Sequence, residues 1–152
     1  VPSVKIKHMT KDGVKGITTD EIFGGKKVAL FALPGAFTPT CSAKHLPGFV
    51  QNAAAIKGKG VSTIACLSVN DAFVMDAWGK NQNVGDNVLM LADGNAELTK
   101  ALGLEMDGSG YGMGTRSRRY SMLVDNGVVK QLNVEKPGAF EVSNAETILK
   151  QL

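Results

Sequence analysis

The sequence predicts a layered α/β fold: a central mixed β-sheet with helices on both faces. Two observations carry this. From residue 27 onward, apolar strand-like runs alternate with segments of helical spacing. Nearer the C-terminus, Asp125-Asn126-Gly127 separates two β-rich runs, a strong hairpin signal that forces at least one antiparallel pair. The 152 residues fit one domain, residues 1–152. A domain of this size buries roughly 68–70% of its unfolded surface, so the core forms without staples.

The elements follow in order. Val4 to Met9 alternates apolar and polar residues as a half-buried strand does. Lys11-Asp12-Gly13 turns it into a short strand at Val14–Thr18. Thr19 or Asp20 caps a helical turn through Phe23, and Gly24-Gly25 ends it. Residues 27–33 form an apolar strand, followed by a helix that begins near Cys41 and turns Leu46, Phe49, Val50, Ala53 and Ile56 toward the sheet. Pro47 lies inside this pattern and predicts a kink near Cys41, because it lacks an N–H and crowds the carbonyl one turn back. Val61–Val69 is the next strand, and Asn70 or Asp71 caps a helix carrying Phe73, Val74, Ala77 and Trp78. Val88–Leu91 is a strand, and Asp93-Gly94-Asn95 leads into a helix with Leu98, Ala101 and Leu102. Met106–Gly114 reads as a mobile glycine-rich loop. Tyr120–Val124 and Val128–Val134 form the hairpin, and Ser143-Asn144-Ala145-Glu146 reads as a capping box opening the last helix.

Composition excludes several classes. A net charge of +3 without a long Lys/Arg run gives no footprint for nucleic acid. No apolar run reaches the ~18 residues needed to cross a bilayer, so no membrane partner is expected. Val1-Pro2-Ser3-Val4-Lys5 does not resemble a signal peptide. Two cysteines do not make a disulfide scaffold, which points to a reducing compartment. A cytoplasmic location is expected, or an organelle if a targeting segment has been removed.

Chemistry concentrates at Pro34-Gly35-Ala36-Phe37-Thr38-Pro39-Thr40-Cys41. Cys41 stands where a loop becomes a helix, and the positive helix end favours thiolate over thiol. The Thr38 hydroxyl, one turn upstream, can hydrogen-bond a thiolate or an incoming oxygen. Pro34 and Pro39 stiffen the approach. Position 38 is Thr and position 44 is Lys, so there is no Cys-x-x-Cys and no dithiol exchanger of that kind. A sulfenic acid at Cys41 must be resolved from elsewhere. Cys66 is the one internal candidate, but Ile64-Ala65-Cys66-Leu67 favours a packed core thiol.

Arg116-Ser117-Arg118-Arg119 leads into an apolar strand. In a strand, Arg116, Arg118 and Tyr120 point one way, and Ser117 and Arg119 the other. One arginine can reach Cys41 and stabilise a thiolate; spacing does not say which. His45 shares a helical face with Cys41 and either tunes the thiol or packs at the pocket rim, the latter being favoured. The Gly108–Gly114 run fits no phosphate loop. Two isolated histidines and two distant cysteines make no metal set.

Pro34-x-x-x-Thr38-x-x-Cys41 resembles the active-site signature of peroxiredoxins. Its continuation through Phe49, with Ala65–Met75, Leu91–Gly94 and Arg116–Ser121, is similar to the type II, or peroxiredoxin-5, subfamily. The resemblance implies a thioredoxin-like fold and thiol-dependent reduction of hydrogen peroxide and alkyl hydroperoxides, serving redox homeostasis. By position, Cys41 is then the peroxidatic cysteine, Thr38 orients the peroxide, Pro34 shields the pocket and Arg119 activates the thiolate. The family's resolving cysteine of animal members has no match in Pro137–Ser143, and the plant- and bacterial-like members are the better fit. Cys66 stays a possible resolving thiol. The resemblance further implies no cofactor, a reductant such as glutaredoxin with glutathione or thioredoxin, and a homodimer paired through loops around the site. A non-enzymatic peroxide sensor or holdase is the competing reading.

Overall fold

The computed structural model describes residues 1–152. Its centre is a sheet of seven strands in the order β2-β1-β5-β4-β3-β8-β9. The antiparallel pair β1 (Lys5–Thr10) and β2 (Gly13–Thr18) forms one edge. The middle strands β3 (Lys27–Ala32), β4 (Thr63–Ser68) and β5 (Leu89–Ala92) run parallel. The hairpin of β8 (Tyr120–Asp125) and β9 (Val128–Val134) adds antiparallel to β3. Its turn needs two left-handed residues, which Asn126 (φ 48) and Gly127 (φ 79) supply.

The two faces of the sheet carry separate cores. Ala29, Phe31, Ile64 and Cys66 point to one face. That face is covered by α2 (Leu46–Gln51), α3 (Ala53–Gly58), α4 (Ala72–Asn81) and α6 (Ala145–Gln151). Val28, Leu30, Ala65 and Tyr120 point to the other face, under α1 (Thr19–Phe23) and α5 (Glu97–Ala101). The period of two along each strand produces this division. The expected mixed sheet with helices on both faces is therefore present. No helix is long and apolar enough to cross a membrane.

Local chemistry moves several boundaries. The cap of α1 is Thr18, not Thr19 or Asp20: Thr18 and Glu21 form a reciprocal capping box. The Thr19 hydroxyl instead donates to Pro2 O and accepts from Val4 N–H, tying down the N-terminal segment. Asn144, not Ser143, caps α6 by accepting from the Thr147 N–H at 2.9 Å. Asp71 caps α4 as expected. The buried face of α4 is Ala72, Met75, Trp78 and Gly79, which leaves Phe73 and Ala77 exposed. The region read as a mobile loop contains a small antiparallel ribbon, β6 (Glu105–Asp107) with β7 (Thr115–Ser117), closed by a 3-10 turn at Ser109–Tyr111.

Candidate active site

The loop leaving β3 is held from two sides. Ala36 N–H donates to the Asn70 side chain at 3.0 Å, and Arg116 Nη1 donates to the Pro34 carbonyl at 3.3 Å. Gly35 lets the arginine approach closely, since a Cβ there would stand 3.0 Å from Arg116 Nη1 and displace it by a few tenths of an ångström. Phe37 adopts φ 63, a conformation that is strained for a bulky side chain. Helix begins at Pro39, where a missing N–H costs nothing, and the Ser42 N–H closes the first turn on Thr38 O at 2.9 Å. Cys41 thus sits in the first turn.

The kink expected from Pro47 is a π-helical turn, Cys41–His45, in which the Leu46 N–H reaches back to Cys41 O. Pro47 has no N–H for the Ala43 carbonyl and its ring presses on it, so the turn widens ahead of the proline. The Ser42 hydroxyl accepts from Trp78 Nε1 at 3.1 Å, anchoring the turn to α4.

Arg119 completes the cluster. Ala32 pairs with Tyr120, so the residue before β8 stands beside the start of the Cys41 loop. Arg119 Nη2 donates to Cys41 Sγ at 3.1 Å, and Nη1 lies 2.8 Å from His45 Nδ1. Of the three arginines that spacing left open, Arg119 is the one at the sulfur. Arg116 braces Pro34 instead of standing in solvent. Cys41 is fully buried, so the guanidinium is a charge partner in a place poor in water.

His45 is not at a rim. It is fully buried among Phe31, Phe49 and Phe140, and its Nε2 is 2.9 Å from Ser143 O. Burial, with the neighbouring Arg119 charge, pushes its pKa down to about 3. A neutral imidazole brings no positive charge to the thiol, and it meets Arg119 rather than Sγ.

Thr38 and Pro34 are near but differently engaged. The Thr38 hydroxyl donates to Gly35 O at 2.7 Å, so its proton is not on Cys41 and its lone pairs are what it offers. Pro34 and Arg119 border a groove of about 390 Å³, shared with Thr40, Arg118 and Glu135. A larger groove of about 770 Å³ between Met9, Lys57 and Lys80 touches none of the expected site residues. Cys66 lies in mid β4, opposite Phe31 and Met90, as a fully buried free thiol. Burial and the nearby Cys41 push its titration well up.

The residues sequence reasoning missed are supports. Asn70 was weighed as a cap, and nothing local marked it as the anchor of Ala36. Trp78 is named in the sequence only as a residue of that helix, although a buried indole needs an acceptor, and that need points to a polar partner.

The Redoxin family matches residues 1–149. A peroxiredoxin of Synechocystis is 46% identical, over 100% of this chain and 88% of that protein. The chain belongs to the peroxiredoxins. Reduced Prx3 of Vibrio vulnificus, solved in complex with H2O2, is a peroxiredoxin 59% identical to this chain. It superposes with a TM-score of 0.95 over 99% of this chain and 94% of that one. The chloroplastic peroxiredoxin-2E-2 of rice is 58% identical over 91% of this chain. This chain spans 63% of that relative's length. The expected thioredoxin-like fold of the family is the fold found.

Proposed function

We propose that the chain is a thiol-dependent peroxidase that reduces hydrogen peroxide and alkyl hydroperoxides through Cys41. The observation that carries this is the Arg119 Nη2–Cys41 Sγ contact of 3.1 Å, a fixed cation on a buried sulfur in the first turn of a helix. A charge-assisted hydrogen bond there favours a negative sulfur. The sulfur electron pair attacks one peroxide oxygen and the O–O bond breaks. Its electrons leave on the other oxygen, which takes up a proton as water or alcohol. Sulfur is oxidised by two electrons to a sulfenic acid, and the peroxide is reduced by two. Arg119 is placed to stabilise the developing oxyanion. Thr38 orients the peroxide through its free lone pairs, and Pro34 shields the site. The peroxide bound to the Vibrio relative supports a peroxide as substrate here.

The cycle closes outside the chain. Cys66, held in the sheet, serves as core packing. An external thiol, from glutaredoxin with glutathione or from thioredoxin, attacks the sulfenic sulfur, releases water and leaves a mixed disulfide. A second thiol then frees Cys41. A homodimer is proposed through the exposed aromatics Phe37, Phe73 and Tyr111. The chloroplastic rice relative favours the organelle over the cytoplasm as the location.

Peroxide consumption with excess dithiothreitol tests the reading against a sensor. We expect many turnovers, and Cys41→Ser below a few per cent of them. A single stoichiometric oxidation with no turnover would favour the sensor.

A further inference from the structure

Glu135 follows β9 and is 4% exposed, one of the few buried ionisable side chains of the fold. Its carboxylate accepts from three successive backbone N–H groups. Glu141 stands at 2.8 Å, Val142 at 2.9 Å and Ser143 at 2.8 Å, with the Ser143 hydroxyl at 2.7 Å. Burial pushes its pKa up, but these donors together outweigh it and hold the carboxyl below the usual carboxylate range, so it is an anion near neutral pH. A purely structural clamp would end there, with a loop tied to the body of the fold.

What the loop delivers goes further. Ser143 O lies 2.9 Å from His45 Nε2. The Phe140 ring lies 5.0 Å from the His45 ring and 5.7 Å from Arg119 Cζ. A carbonyl only accepts, so His45 carries its hydrogen on Nε2. A guanidinium only donates, so Nδ1 offers its lone pair to Arg119 Nη1 at 2.8 Å. Both neighbours demand the same tautomer. The guanidinium is planar and rigid, so fixing Nη1 on His45 also fixes the direction of Nη2 toward Cys41. The Glu135 N–H also donates to Arg119 O at 2.9 Å, holding the backbone from which that side chain leaves.

We propose that Glu135 is a positioning residue for the peroxide reaction: by clamping residues 141–143 it sets His45 as an acceptor and aims Arg119 at Cys41. This rests on the peroxidase reading of Cys41. Glu135 touches neither the sulfur nor the peroxide; it acts through the loop, the imidazole and the guanidinium in turn.

The test is a double-mutant cycle on the oxidation of Cys41 by hydrogen peroxide, followed by stopped flow. Glu135→Gln keeps the size but removes the charge from the acceptor and sets an N–H donor against the Glu141 N–H. His45→Phe fits among the three surrounding phenylalanines and removes the acceptor. Each single variant should oxidise about tenfold slower, and the double variant about tenfold rather than a hundredfold slower, because both act through one path. Histidine 15N spectra should show the Nε2–H tautomer of His45 in the wild type, and its loss in Glu135→Gln. A wild-type rate in Glu135→Gln, or a double variant that loses the product of the two single effects, overturns the proposal. A wild-type His45 protonated on Nδ1 overturns it without any variant. Failure of the wild type to consume peroxide counts instead against the reading of Cys41.

Discussion

Arg119 divides its two terminal amino groups between a sulfur and an imidazole, a division that a lysine cannot reproduce. A lysine brings one point charge, without a planar fork to span Cys41 Sγ and His45 Nδ1. We expect Arg119→Gln to slow the oxidation of Cys41 by about a hundredfold or more with the fold intact, and Arg119→Lys to recover only part of that. Stopped-flow oxidation with hydrogen peroxide checks both, and a wild-type rate in Arg119→Gln would remove the role. In the sequence, Cys41 was legible from its place between a loop and a helix. Arg119 was not, because alternation gives a face but no reach, and the family resemblance selected it. His45 was misread as a rim residue. Its two partners, Ser143 and Arg119, lie far along the chain, and no local pattern signals them.

The helix bearing Cys41 shows how one residue sets the phase of an element. Pro47 was legible as the source of a kink, since its chemistry is local. The form of the kink, a wide turn over Cys41–His45, was not, because it depends on packing against β3 and α4. Pro47→Ala restores an N–H for the Ala43 carbonyl and permits a regular helix. We expect thermal stability to hold or rise, while Cys41 turns away from Arg119 and its oxidation slows by about tenfold. Unchanged kinetics with a regular helix would show that the wide turn does not serve the site. Caps teach the same lesson. Ser143 looked like the cap of α6 by its spacing to Glu146, yet Glu135 takes its hydroxyl and Asn144 does the capping. Donating to the buried carboxylate turns the Ser143 hydroxyl away from the helix N–H groups, which need an acceptor.

Across the molecule, the alternation of strands and helices made the sheet and its two covered faces legible. The strand order was not, since it rests on long-range pairing: β1 lies beside β5, far from its neighbours in sequence. A continuous seven-stranded sheet leads us to expect one cooperative unfolding transition for residues 1–152. Its acid limit follows from His45. The folded protein holds this imidazole neutral down to about pH 3, whereas the unfolded chain protonates it near 6.5. Below 6.5 the unfolded state binds the extra proton, so stability falls with pH by up to about 1.4 kcal/mol per unit from this group. Glu135, whose carboxylate is favoured as the anion, adds to the loss below its ordinary range. We expect His45→Phe to flatten the fall between pH 6 and about 4 in urea melts; an unchanged slope would mean that other groups carry it.

The proposed cycle stands on a sulfenic acid at Cys41 with Cys66 uninvolved. The intact mass of the reduced protein, quenched after one equivalent of hydrogen peroxide, tests this directly. One added oxygen, absent in Cys41→Ser, is the result expected. A loss of two hydrogens would mean a disulfide with Cys66, and an unchanged mass would mean that Cys41 is no peroxide-reactive thiol at all.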